Sequence, residues 1–215
     1  MTNKFKYKKY WRKTSLKQKG VGDFFLEHIF HQKPKNFLEV GIFHGVTSRN
    51  VCDLLSSIHG NNFKYIGIDL FSSAEEISKD EFAPKTKFSN PLKNIYYNYI
   101  IRLDPYSIES VKKLLKKYKK NIDIIKGDSN EILKKISLDN IDYVFLDGGH
   151  RYETVLNDLK NLTKVVQNNG VILCDDYDLT YAPGVKKAID EYILLNNFNL
   201  KILKSRFAEI KKNST

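Results

Sequence analysis

The stretch from Phe37 to Ser48, Phe-Leu-Glu-Val-Gly-Ile-Phe-His-Gly-Val-Thr-Ser, limits what this chain can fold into more than any other. A short apolar run carries the carboxylate Glu39, and two glycines follow four residues apart, Gly41 and Gly45. Thr47 and Ser48 then open a segment with apolar residues at 51, 54, 55 and 58. That order reads as strand, tight turn, helix. Glycine tolerates positive φ and has no Cβ, so a ligand can lie against bare backbone at such a turn. The helix N-terminus beside it offers unpaired N–H groups and a partial positive charge, which suit a carboxylate or a phosphate. The dinucleotide fingerprint needs three glycines as G-x-G-x-x-G, and Phe43 stands where the second belongs, so NAD fits poorly. A plain connecting turn is the alternative, and the rest of the chain must decide.

Upstream, Asp23 suits the cap of a short helix carrying Phe24, Phe25, Ile29 and Phe30, which Pro34 ends. Downstream, the first strand spans about 36–40 and its helix about 47–58, closed by Gly60 and Asn61. A second strand over about 63–69 ends in Asp69. An acid at that tip either caps the next loop or accepts hydrogen bonds from the ribose of an adenosine ligand. Residues 71–104 break the rhythm, with Asp80, Pro84, Asn90 and Pro91 followed by Tyr96, Tyr97 and Tyr99. So long a departure reads as a lid or substrate insertion, or else as a packed decoration or oligomer contact.

Asp104-Pro105 is expected to start the next helix, whose apolar face is Ile108, Val111, Leu115 and Tyr118. A third strand, Ile122 to Ile125, runs into Gly127-Asp128-Ser129-Asn130-Glu131, a capping-box pattern. A fourth, Ile141 to Leu146, ends in Asp147-Gly148-Gly149-His150. The amphipathic helix after it carries Val155, Leu156, Leu159, Leu162 and Val166. A fifth strand, Val171 to Cys174, ends in Asp175-Asp176-Tyr177. After Pro183, Gly184 and one more helix, Phe198–Leu203 and Phe207–Ile210 read as an antiparallel pair. The alternation predicts an α/β fold: a Rossmann-like, doubly wound, mostly parallel seven-stranded sheet closed by a C-terminal hairpin.

Asp147, Asp175 and Asp176 terminate two consecutive strands and should meet at one sheet edge. Three carboxylates in one place repel one another unless protonated or neutralised by a cation. Oxygen donors suit Mg²⁺, or another hard divalent cation, rather than zinc. Such an ion would lower the pKa of a bound hydroxyl. The plain alternative is that these acids cap helices and shape loops. His150, three residues past Asp147, is either a general base for an attacking hydroxyl or a hydrogen-bonded residue at a helix start. His44, inside the glycine turn, reads as a loop residue shaping the pocket.

The 215 residues make one domain by length, with a basic N-terminal arm over 1–20 and the main domain over 21–215. Hydrophobic residues at 41% and charged residues at 28% are ordinary for a soluble protein, and no apolar run approaches a membrane span. Cys52 and Cys174 look like reduced core residues, and with no secretory signal a cytoplasmic setting is expected. The net charge of +11 draws on Lys4, Lys6, Lys8, Lys9, Arg12, Lys13, Lys17 and Lys19, with Phe5, Tyr7, Tyr10 and Trp11 between them. Such a tract either binds a nucleic acid, its aromatics stacking on bases, or is a solvated arm whose aromatics pack on the domain.

Together these pieces resemble class I S-adenosylmethionine-dependent methyltransferases. The likeness points to the metal-dependent group of macrocin O-methyltransferase-like and cephalosporin hydroxylase-like proteins, themselves similar to catechol O-methyltransferases. It rests on Glu39-Val-Gly41-Ile-Phe-His-Gly45, Gly67-Ile-Asp69, Gly127-Asp128-Ser129-Asn-Glu131, Leu146-Asp147-Gly-Gly-His150-Arg-Tyr152, Asp175-Asp176-Tyr177 and Pro183-Gly184-Val185, and covers about 35–210. The resemblance implies that Glu39 and Gly41 line the methionine half of S-adenosylmethionine, with His44, Gly45 and Asp147 also in the cofactor pocket. By the same likeness Asp69 holds the ribose, Asp128 and Ser129 border the adenine, and Asp147, Asp175 and Asp176 bind Mg²⁺. Some relatives carry a further acid, proposed as general base, where this chain has Gly149, which makes His150 the substitute beside Asp147. The expected reaction is O-methylation of a small hydroxylated acceptor, sugar or natural-product-like, with a homo-oligomer allowed. An RNA-directed enzyme and a non-catalytic binding module are the competing readings.

Overall fold

The computed structural model describes residues 5–71, 88–136, 138, 140–204 and 206–213. Seven strands form one sheet: β1 Asn36–Val40, β2 Lys64–Asp69, β3 Ile122–Lys126, β4 Ile141–Leu146, β5 Val166–Cys174, β6 Phe198–Leu203 and β7 Phe207–Lys212. Their order is β3-β2-β1-β4-β5-β7-β6. The first five run parallel, and β7 inserts antiparallel between β5 and β6. The doubly wound sheet with a C-terminal hairpin is therefore as the sequence alternation predicts.

Helices α1 (Val21–Gln32), α2 (Val46–His59) and α4 (Ile108–Leu114) lie on one face, and α5 (Ser129–Lys135), α6 (Tyr152–Val165) and α7 (Pro183–Leu195) on the other. The pleat sends successive side chains to opposite faces, so neighbours split between two cores. Phe37, Tyr143 and Phe145 pack with Phe25, Ile29 and Leu55 on the first face. Leu38, Val144 and Leu146 pack with Leu159, Leu162 and Ile189 on the second. Cys52 and Cys174 are free thiols, one in each core.

Strand order switches direction across the sheet between β1 and β4, and a wound sheet opens its ligand crevice at such a point, beyond the strand C-termini. The Gly41 turn and the Asp147 segment lie there side by side, with Asp147 N donating to Val40 O at 2.8 Å.

Two helix starts differ from the sequence reading. Asp23 lies within the first turn of α1, and its carboxylate takes the Tyr7 backbone N–H at 2.7 Å instead of capping. Asp104-Pro105 forms a turn, with the Tyr106 N–H bonded to Asp104, and α4 begins only after Ser107, whose hydroxyl accepts from Ser110 N. In both places a longer-range or tighter local partner prevails over the nearest helix. Of the expected insertion, residues 72–87 lie outside the described residues; its end forms α3 (Pro91–Ile95), capped by Asn90, and a π-helical turn over Tyr96–Ile101.

Candidate active site

Gly41 is fixed by two demands at once. Its φ is +93°, and a Cβ there would stand 2.2 Å from the carbonyl oxygen of Asp147. Only glycine lets the end of β4 pass so close. Phe43 is held at φ +53°, a strained setting for an aromatic residue in a turn that the surroundings must enforce. The enforcing group is Asp69. Its Oδ2 accepts the backbone N–H of Ile42 at 2.7 Å and of Phe43 at 2.8 Å. Its Oδ1 accepts from Phe71 N at 2.8 Å and Tyr106 Oη at 2.9 Å. Burial raises the Asp69 pKa, and these hydrogen bonds work against that rise. Asp69 thus braces the turn, and a ribose hydroxyl reaching it would take the place of Tyr106 Oη.

Glu39 lies fully buried behind the turn. One oxygen accepts from Ser48 and from Tyr65, while Oε1 has no partner. Burial pushes its pKa up to about 8. A buried acceptor without a donor suits an ammonium group arriving with a ligand. His44 is buried beneath the arm against Phe43 and Phe88, and burial with nearby Arg12 and Lys13 lowers its pKa to about 3. At that value the imidazole is neutral near pH 7. Gly45 is the N-cap of α2 at φ +72° and makes no side-chain cap. At the far edge Asp128 caps α5 by accepting from Asn130 N at 2.9 Å, with Ser129 next to it. Glu131 does not complete a capping box; it pairs with Lys134 and Lys135 in solvent.

From Phe5 onward the basic arm packs its aromatics on the domain. Phe5 packs on Phe30, Tyr7 Oη bonds Thr14 and Thr47, and Tyr10 Oη bonds Asp53. Arg12 donates to His44 O and to Ser110, and Ser15 Oγ donates to Asp147 Oδ2 at 2.6 Å. Lys13, Thr14 and Ser15 roof a narrow cleft floored by Gly41, Ile42, Phe43, Val46, Thr47 and Asp147. As folded it has room for little more than a water molecule, so the roof must lift or shift to admit a nucleoside.

Asp147, Asp175 and Asp176 converge as their strand ends predict, with donor oxygens within 4.8 Å of one another. Burial, then Asp175 and Asp176, drives the Asp147 pKa far up. The expected divalent cation, however, meets an occupant. Arg206, at the entry to β7, grips Asp175 with Nε at 2.5 Å and Nη2 at 2.6 Å, and Nη2 lies 3.1 Å from Asp176 Oδ1. Both Asp175 oxygens accept from Arg206, so a cation reaching the cluster would have to share or displace that pairing. Asp176 sits at φ +61° and holds His150 Nε2 at 3.0 Å through Oδ2. Burial alone would raise its pKa, but hydrogen bonds from His150 and Tyr181 and the charge of Arg206 keep it below the usual value. Gly184, in the first turn of α7, leaves room for the backbone at His150, since a Cβ there would meet the His150 carbonyl at 2.7 Å.

The glycine turn, the acid at the tip of β2 and the acidic edge coincide with a methyltransferase domain family model that matches residues 38–177. The chain belongs to the methyltransferase domain family. Among relatives of known sequence, the uncharacterized protein R132 of Acanthamoeba polyphaga mimivirus is 31% identical over 107 residues, covering 44% of this chain and 48% of the relative. The chain spans under half the length of the curated relatives it matches. The O-methyltransferase NovP superposes with a TM-score of 0.67 at 18% identity over 90% of this chain and 81% of NovP. The Podospora anserina methyltransferase PaMTH1, solved with SAH bound, gives 0.63 at 15% over 90% and 78%. At such identities the likeness speaks for the fold, the class I methyltransferase fold.

Within this methyltransferase domain, four contributors had no local signal in the sequence. Tyr65 and Tyr106 are strand and loop aromatics whose hydroxyls happen to reach Glu39 and Asp69. Ser15 lies 132 residues from Asp147, and Arg206 lies 31 from Asp175. Only the topology that lays β7 beside β5 brings the arginine to the acids.

Proposed function

We propose that this domain is an S-adenosylmethionine-dependent methyltransferase acting on a hydroxyl of a small acceptor, sugar or natural-product-like. One observation carries the reading. Asp147 belongs to both halves of the crevice: its carbonyl packs on Gly41 in the turn, and its carboxylate belongs to the acidic edge with His150 nearby. A donor over the turn and an acceptor at the edge would therefore be neighbours.

The unpartnered Glu39 oxygen, the bare backbone at Gly41 and the uncapped start of α2 suit the ammonium and carboxylate ends of the cofactor's methionine half. When bound, the cofactor supplies an electrophilic methyl on a sulfonium sulfur. His150 bonds Asp176 through Nε2, which orients the ring at the acidic edge as the group to take the proton of an acceptor hydroxyl. The arm over Lys13–Ser15 excludes water once the cleft is filled. No step is assigned to a metal. The converging carboxylates favour Mg²⁺ assistance, and Arg206 opposes it.

RNA as acceptor gains little from the arm, because Phe5, Tyr7 and Tyr10 are engaged in packing and hydrogen bonds, leaving Trp11 as its exposed aromatic. The test is methyl transfer from labelled S-adenosylmethionine to a panel of sugars, phenols and RNA. Labelling of a small hydroxylated acceptor is expected, with His150→Ala lowering kcat about 10²-fold or more and KM little. Transfer confined to RNA, or His150→Ala at full rate, would overturn the proposal.

A further inference from the structure

The three carboxyl groups at the ends of β4 and β5 must be relieved by a cation or by protons, and the fold supplies a cation. Arg206 is 5% exposed and lies against the cluster it neutralises. Its two nitrogens engage both oxygens of Asp175 in the fork geometry that suits a planar guanidinium. The same group stands 3.1 Å from Asp176 and 3.5 Å from the Ser15 carbonyl. Its backbone is pinned as well: Arg206 N donates to Leu203 O at 3.2 Å, and Arg206 O accepts from Tyr177 N at 2.8 Å. The guanidinium is thus tied to the β6–β7 turn and to the segment carrying the acids. A hard divalent ion needs carboxylate oxygens turned toward it at about 2.0–2.6 Å. Here it would have to strip Asp175 from a bidentate partner and then sit beside a fixed positive charge.

We infer that Arg206 is the resident counter-ion of this cluster and stands in for a divalent cation. The acids then serve through Asp176 to orient His150, and Arg206 is a positioning residue for that pair. This rests on the functional reading above only for the role of His150; the claim about charge stands on the cluster itself.

The experiment is Mn²⁺ binding to the full chain, read by electron paramagnetic resonance and by calorimetry. The wild type is compared with Arg206→Met, Arg206→Lys and Asp175→Asn, each checked by circular dichroism. The wild type is expected to leave Mn²⁺ free up to about millimolar concentration, a range that easily fills a three-carboxylate site. Arg206→Met should bind Mn²⁺ at least about tenfold tighter, because three acids are left without a cation. Arg206→Lys keeps the charge and should behave as the wild type. Tight Mn²⁺ binding by the wild type, lost in Asp175→Asn, would overturn the inference, and so would a folded Arg206→Met that gains no affinity. Should Arg206→Met not fold, the wild-type and Asp175→Asn spectra decide alone. S-adenosylmethionine binding is measured on the same samples. Its failure would sink the cofactor reading while leaving the outcome of the manganese titration intact.

Discussion

Two carboxylate sites share one rim of this sheet, and they are satisfied in opposite ways. At the tip of β2, Asp69 is met by the backbone N–H groups of Ile42, Phe43 and Phe71 and by one tyrosine. At the tip of β5, Asp175 and Asp176 are met by a guanidinium from the far hairpin and by His150. The first arrangement is built from dipoles that cannot leave, and it sets the shape of a turn. The second is built from side chains whose charges could be exchanged, and it sets the electrostatics of the acidic edge. A carboxylate at a strand end therefore does not declare its role; its partners do.

Removing a partner should expose the difference most strongly on the acidic side. Arg206→Ala leaves buried carboxylates unpaired, which costs about 3–5 kcal/mol. Urea denaturation measures it, and a loss below about 1 kcal/mol would mean that the pair is not buried in solution. On the turn side, Gly41→Ala forces a Cβ onto the Asp147 carbonyl at positive φ, for about 2–4 kcal/mol and loss of cofactor affinity. A Gly41→Ala protein of unchanged stability would show that the two strand ends are not in contact.

A smaller effect separates the halves by pH. Glu39 titrates at about 8 in the folded chain because burial penalises its charge. Unfolded, it titrates near the ordinary ~4.3, so between those values the native state holds the extra proton. Its contribution to stability is complete below that range and declines as pH rises toward 8. Glu39→Gln should flatten that part of the stability curve. A wild-type curve that rises across this interval, with no difference from Glu39→Gln, would contradict the assignment. Smallest of all, Ser15→Ala removes one hydrogen bond to Asp147 and should cost about 1 kcal/mol or less. It should also speed cofactor entry in stopped-flow measurements by loosening the roof; unchanged entry would place the barrier elsewhere.

Much of this rim was legible in sequence because its signals are local. Strand periodicity ran into Glu39, Asp69, Asp147 and Asp175, and parallel strands put those ends on one edge. The turn announced itself through Gly41 and Gly45. What stayed hidden was long-range. Nothing near Arg206 marks it as the partner of Asp175. The arm's partners were hidden for a similar reason: its charge and aromatic spacing allowed a nucleic-acid tract or an arm packed on the domain, and Tyr7, Tyr10, Arg12 and Ser15 reach Thr47, Asp53, His44 and Asp147. Asp23 likewise has a cap-like setting but is claimed by Tyr7.

Calorimetric titration of the full chain with S-adenosylmethionine, in the presence of a chelator, tests the central claim most directly. Saturable one-to-one binding is predicted, weakened about tenfold or more by Asp69→Ala because the brace on Ile42 and Phe43 is gone. No heat at millimolar cofactor, or binding that returns only when a divalent cation is restored, would contradict it.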